Sequence, residues 1–117
     1  MVSSYTAGMG LLDEYVAGVE GFDWDAGNSD KNWSKHTVRQ SEAEQVLLNR
    51  PLLLAADVKH SRQEPRFFTL GHTDSGRRLA VVFTVRARRV RVISARPMSG
   101  RERRVYAKAQ TELEDDS

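Results

Sequence analysis

The chain has 117 residues, 39% hydrophobic and 29% charged, with 18 Lys and Arg against 16 Asp and Glu for a formal charge of +2. That length supports one compact domain with a lean core under a charged surface, and the composition is not that of a disordered chain. The absence of Cys excludes disulfides, Cys-ligated zinc and thiol catalysis. No apolar run approaches the ~18 residues of a membrane span, and the first base is Lys31, so neither a membrane segment nor a secretory leader is expected and a cytoplasmic domain is.

From the amino end, residues 9–20 place Leu11, Leu12, Tyr15, Val16 and Val19 at helical spacing, although Gly8, Gly10, Gly18 and Gly21 weaken the pattern to a short helix. Phe22, Asp23, Trp24 and Asp25 alternate apolar and acidic, as an edge strand does. Asn28 is positioned to cap a helix running to about His36, with Trp33 as its main apolar residue. Ser41 and Glu44 have capping-box spacing and open a second helix through Val46, Leu47 and Leu48, which Pro51 ends. Residues 52–56 read as a short strand and 57–64 as a polar loop.

Three strand-like runs follow, at 66–71, 78–85 and 89–96. Asp74-Ser75-Gly76 and residues 86–88 supply the turns, which predicts a three-stranded antiparallel meander. Pro97 interrupts it, and Ser99 with Glu102 gives another capping box. A final helix over about 100–112 then sets Val105 and Ala109 on one face and Arg101, Arg104 and Lys108 on another. Helices, then strands, then a helix define an α+β fold.

The charge of +2 comes from cancellation. Residues 1–30 carry −6, residues 31–108 carry +12 and the tail carries −4; ten Arg and the single acid Glu102 fall within 77–104. Such density suits a polyanion or an acidic partner. Arg outnumbers Lys 14 to 4, and guanidinium forks match phosphate and carboxylate geometry better than ammonium does. The plainer reading of such charge is a solvated face.

The chemistry-bearing residues concentrate in two places. Asp57, Lys59, His60, Arg62, Glu64 and Arg66 fall within ten residues, and on a strand Glu64, Arg66 and Phe68 share a face. His60 can exchange a proton at working pH; the plainer alternative is a salt bridge between Glu64 and Arg66. His72, beside a turn, is expected to be exposed. The second place is the rim where Arg96 ends a strand and Arg101 and Arg104 begin a helix, whose N-terminus itself favours anions. The plainer role there is charge compensation of Glu102 and the acidic tail, or an i, i+4 contact between Glu102 and Tyr106. Trp24 and Trp33 can stack on bases, though core is the commoner role for Trp in so small a domain.

Taken in order, Phe22-Asp23-Trp24-Asp25, Asn32-Trp33-Ser34-Lys35-His36, Asp57…His60…Glu64-Pro65-Arg66-Phe67…Leu70-Gly71, Arg91-Val92-Ile93-Ser94-Ala95-Arg96 and Arg101-Glu102-Arg103-Arg104-Val105-Tyr106 resemble the BrnT family of bacterial toxins, RelE-like members of type II toxin–antitoxin systems. The resemblance covers about residues 22–106. It departs at Thr37, where the family usually has Gly after Lys-His, and at Gln40, where an aromatic commonly stands. It implies a RelE-like fold: a small antiparallel sheet of three to four strands packed with N-terminal helices and a C-terminal helix. The expected organisation is an extension over 1–21, one toxin domain over 22–112 and an acidic tail over 113–117.

The resemblance also implies an endoribonuclease that needs no metal or other cofactor, blocks translation and is neutralised in a hetero-oligomer by a BrnA-like ribbon-helix-helix antitoxin. Alone the chain would be a monomer or dimer. Attack by the RNA 2′-OH needs a base, an acid for the leaving 5′-oxygen and cations on the phosphorane. His60 or Glu64 fits base or acid, Arg66 and Arg96 fit the phosphorane, and Lys35 and Arg91 fit adjacent phosphates. Arg101, Arg104, Trp24 and Tyr106 complete the expected RNA contacts. The competing expectation is a non-enzymatic, degenerate toxin that binds protein or nucleic acid through its Arg-rich face. The acids of residues 1–20 could also cover the basic site, although an ordinary terminal segment is the plainer reading.

Overall fold

The computed structural model describes residues 6–7, 21–25, 27–28, 36–56 and 64–115. Eight elements follow in the order β1 (Thr6–Ala7), β2 (Gly21–Phe22), α1 (Gln40–Leu48), β3 (Leu53–Ala56), β4 (Arg66–His72), β5 (Arg78–Arg86), β6 (Arg89–Pro97) and α2 (Gly100–Asp115). The strands form one six-stranded sheet ordered β1-β3-β4-β5-β6-β2. All pairs are antiparallel except β2 with β6.

The α+β class and the β4–β5–β6 meander agree with the sequence patterns. The strand number does not: six strands form where three to four are expected, with β1 added beside β3, and the edge strand expected at Phe22–Asp25 forming as the shorter β2 beside β6. Thr6–Ala7 pairs with β3 inside the stretch expected to be an extension. Two residues carry no readable alternation, so only pairing reveals such a strand. The helix expected over 9–20 lies outside the described residues, as does that over 28–36 except for Asn28 and His36.

Strand alternation gives the sheet two faces. Phe67, Leu79, Val81, Phe83, Val90, Val92 and Ala95 cluster on the first with Val38, Ala43, Val46 and Leu47 from α1 and the segment before it. Phe67 and Phe83 stack at 5.3 Å between centroids. Gly71 sits below α1, where an added Cβ would lie 2.8 Å from Val46 Cγ1, so the close approach requires glycine. On the second face Leu53, Leu70 and Ala80 meet Met98 and Tyr106, with Phe68, Val105 and Ala109 packed beside them. α2 therefore covers one end of the second face, with Val105 and Ala109 inward and Arg101, Arg104 and Lys108 exposed.

Both turns form as expected. Gly76 takes φ +90° and its N–H donates to the Thr73 carbonyl at 2.9 Å. At α2 the Ser99 N–H donates to Glu102 and the Glu102 N–H donates to Ser99 Oγ, the reciprocal capping box read from the sequence. At α1 the box shifts by two residues. Arg39 is the N-cap, its N–H donating to Glu42 Oε1 at 3.1 Å, so Ser41 already lies inside the helix. Glu44 is instead held by the Trp24 indole N–H at 2.8 Å.

Candidate functional site: an arginine-lined sheet face

The end of the second face that α2 does not cover is built from rungs of paired residues. Arg66 pairs with Thr84, and Thr84 pairs with Arg91, so two arginines flank a threonine across three strands. One step toward the β5–β6 turn, Arg86 pairs with Arg89. In the opposite direction come Phe68, Val82 and Ser94, and then Leu70, Ala80 and Arg96.

Arg91 and Arg96 are five residues apart, and strict alternation would send them to opposite faces. A β-bulge corrects this: Phe83 pairs with Val92 and Val82 with Ser94, which leaves Ile93 as the extra residue. Val92 and Ala95 consequently both reach the first-face core, while Arg91 and Arg96 both stand on the second. The bulge is what collects the guanidinium groups on one surface.

Arg86, Arg91 and Arg96 of this surface each meet a carboxylate. Arg91, its side chain only 16% exposed, donates to Asp25 at 3.0 and 3.1 Å and lies 3.4 Å from Asp23. The Gly27 N–H donates to Asp25 at 2.7 Å. Asn28, 3% exposed, locks this turn: its amide donates to the carbonyls of Asp23 and Val92, and its oxygen accepts the Asp25 N–H. Asn28 thus serves the turn before it, where the sequence suggested a cap for the helix after it. Arg91 and the Gly27 N–H hold the Asp25 carboxyl below its ordinary range.

Arg96 grips Glu102 with both terminal nitrogens, at 2.7 and 2.9 Å, and its guanidinium lies 5.9 Å from the Phe68 ring centroid. Arg96, then the Ser99 N–H, depress the Glu102 carboxyl. Glu64 takes a bidentate contact from Arg86 at 3.0 and 2.5 Å, which lowers its pKa and raises that of Arg86. The ion pair of Glu64 is thus with Arg86 of β5, and Arg66 adds a weaker electrostatic contribution.

The expected site residues separate into groups. Arg66, Arg91 and Arg96 share the second face, Glu64 meets Arg86 of that face from the segment before β4, and Arg101 and Arg104 are exposed on α2. His60 and Lys35 lie outside the described residues. From strand geometry, Arg66 and Arg96 stand roughly 13 Å apart along the strands and 10 Å across them, more than one phosphate spans. Arg66 and Arg91, on a single rung, are the closer pair.

One expected RNA contact is corrected, and a second is partly packed away. Tyr106 has no exposed surface: its hydroxyl donates to the Pro51 carbonyl, and burial raises its pKa to about 12. Because that proton is committed, His72 Nδ1 must be the donor in the 2.7 Å contact with the same oxygen. His72 is thus half-buried and hydrogen-bonded where the sequence suggested mere exposure. Trp24 is half-buried against the α1-side core, its indole N–H held by Glu44. Sequence reasoning missed Arg86, Asn28 and the bracing role of Asp25. The Asp23/Asp25 alternation opposite an Arg-rich strand was the available signal.

The chain is thus a small α+β protein whose sheet gathers ion-paired arginines on one face. Residues 24–102 match the family model described as ribonuclease toxin, BrnT, of type II toxin–antitoxin system. The match spans more than half of the chain, and the chain belongs to this family. No curated protein matches it. Among the described residues, no helix is long and apolar enough to cross a membrane.

Proposed function

We propose that the chain is a cytoplasmic, metal-independent endoribonuclease of RelE-like fold, whose toxin domain spans 22–112 and whose activity a ribbon-helix-helix antitoxin of BrnA type neutralises. The observation that carries this reading is the placement of Arg66, Arg91 and Arg96 on one sheet face of a ribonuclease-toxin family member. RNA lies along this face. Arg66 and Arg91 hold one phosphate from a single rung, and Arg96 holds another two rungs away. Arg101, Arg104 and Lys35 extend the cationic track. His60 and Glu64 exchange the protons: one takes the 2′-OH proton as O2′ attacks phosphorus, and the other protonates the departing 5′-oxygen. The guanidinium groups stabilise the charge on the phosphorane oxygens.

The pairing of Glu64 with Arg86 favours a second reading. A carboxylate engaged by a guanidinium and depressed in pKa is a weak base, as expected of a degenerate toxin that binds RNA or protein without cutting. One assay separates the two. Purified protein in excess EDTA should cleave RNA, and His60→Ala, Glu64→Ala and Arg96→Ala should each slow cleavage; expression should arrest growth. Unchanged rates in all three variants refute the site assignment. Salt-sensitive RNA binding without any cleavage selects the binding module.

A further inference from the structure

The β5–β6 turn breaks two local rules at once. Its loop has two residues, Ala87 and Arg88, at φ 51° and 64°. Such a loop needs positive φ at both positions and ordinarily takes Asn-Gly, because a Cβ is strained there. The rung closing the loop also sets Arg86 directly opposite Arg89, a like-charge pair that weakens a hairpin. Stable hairpins avoid both features, and strained backbone of this kind clusters at functional sites. Arg86, Arg88 and Arg89 are all exposed, and Arg86 and Arg89 stand on the same face as Arg91. Glu64 is ion-paired with Arg86.

We propose that the β5–β6 tip, with Arg86, Arg88 and Arg89, is a second phosphate-binding surface that grips the RNA backbone beyond the Arg66–Arg91 rung. The inference rests on the ribonuclease reading for its substrate. Its chemistry is sequence-independent: three guanidinium groups meet successive phosphates and no base edge, so the tip adds affinity and salt dependence without base preference. The strained loop sets Arg88 beyond the last rung of the ladder, Arg86–Arg89, where it is exposed.

Two single substitutions separate charge from strain. Ala87→Gly relieves a left-handed residue and keeps every arginine; Arg88→Gly relieves its neighbour and removes one. Both should raise the thermal midpoint by about 2–4 °C. On a single-stranded RNA oligonucleotide, Ala87→Gly should behave as the parent. Arg88→Gly should raise KM about tenfold at low salt with kcat unchanged, one charge-assisted phosphate contact being lost. Its plot of log affinity against log salt should flatten by roughly 0.7. Equal KM and equal salt slope for Arg88→Gly and the parent overturn the proposal. A parent that binds RNA but does not cut it refutes the ribonuclease reading, while a flattened slope in Arg88→Gly still supports the tip.

Discussion

The same strands give the sheet two faces of opposite chemistry. Beneath α1, Phe67, Val81, Phe83 and Val92 close a continuous apolar core, Val81 and Val92 with no exposed surface. On the other side α2 covers only the end carrying Leu70 and Ala80, where Arg96 ends the same rung, and the rungs beyond it carry Arg66, Arg86, Arg89 and Arg91. A residue therefore differs from its chain neighbour more than from a rung partner two strands away. Fold stability should reside on the first face and anion binding on the second. Phe83 and Val82 are adjacent in β5 but face opposite ways, so they give the strongest test. Phe83→Ala should cost about 3–5 kcal/mol in chemical denaturation, as a large cavity in a closed core does. Val82→Ala, on the half-exposed rung, should cost about 1 kcal/mol or less. Equal losses would show that the faces do not divide the labour.

This division was partly legible in the sequence. The Val- and Phe-rich runs of β4, β5 and β6 alternate plainly, and Ser99 with Glu102 announces α2; both depend on neighbours close in the chain. The surface grouping was less so, because its key is one inserted residue. Ile93 shifts the parity of β6, and nothing in Arg-Val-Arg-Val-Ile-Ser-Ala-Arg distinguishes a bulged strand from a regular one. Similarly, the plainer alternative for Glu64 is a salt bridge to Arg66, two positions along the chain. A cross-strand partner is closer, and choosing Arg86 requires the β4–β5 register. Tyr106 read as a helix-surface aromatic within an Arg-rich stretch. Its burial follows from the side on which α2 docks, which the polar composition of that helix obscures.

On the α1 side the chain keeps one strained residue that bears on the same comparison. Thr37 adopts φ 57°, a left-handed conformation that a β-branched residue rarely takes, at the position where the family pattern has glycine. Its carbonyl accepts a 2.7 Å hydrogen bond from Arg77, which also pairs with Glu42 of α1. The turn geometry is thus preserved by a guanidinium clamp despite the side chain. Thr37→Gly should raise stability by about 0.5–1 kcal/mol, the relief of strain exceeding the added entropy of the unfolded chain. RNA cleavage should not change, because the strain lies behind the closed face. The check is a shift of the denaturant midpoint at constant slope; a fall in stability would mean that Thr37 makes contacts worth more than its strain.

The smallest expected effect separates the faces by their response to acid. Apolar burial under α1 does not titrate in the acid range, whereas the arginine face holds ionised carboxylates. Glu102 is the least exposed of the carboxylates paired there, and Arg96 holds its pKa below the ordinary 4.5. A carboxyl depressed in the folded state adds stability that is complete above its unfolded pKa and disappears as pH falls through the folded value. Arg96 is 39% exposed, so solvent screening limits this contribution to about 1 kcal/mol or less. Glu102→Gln can still accept the Ser99 N–H, which isolates the charge from the cap. Parent and variant should differ most near neutral pH and converge on acidification below about pH 4.5, and added salt should narrow the gap at neutral pH. A gap that stays constant from pH 7 to 3 would assign the Arg96–Glu102 contact to packing. The arginine face would then stand on the same pH-independent footing as the core behind it.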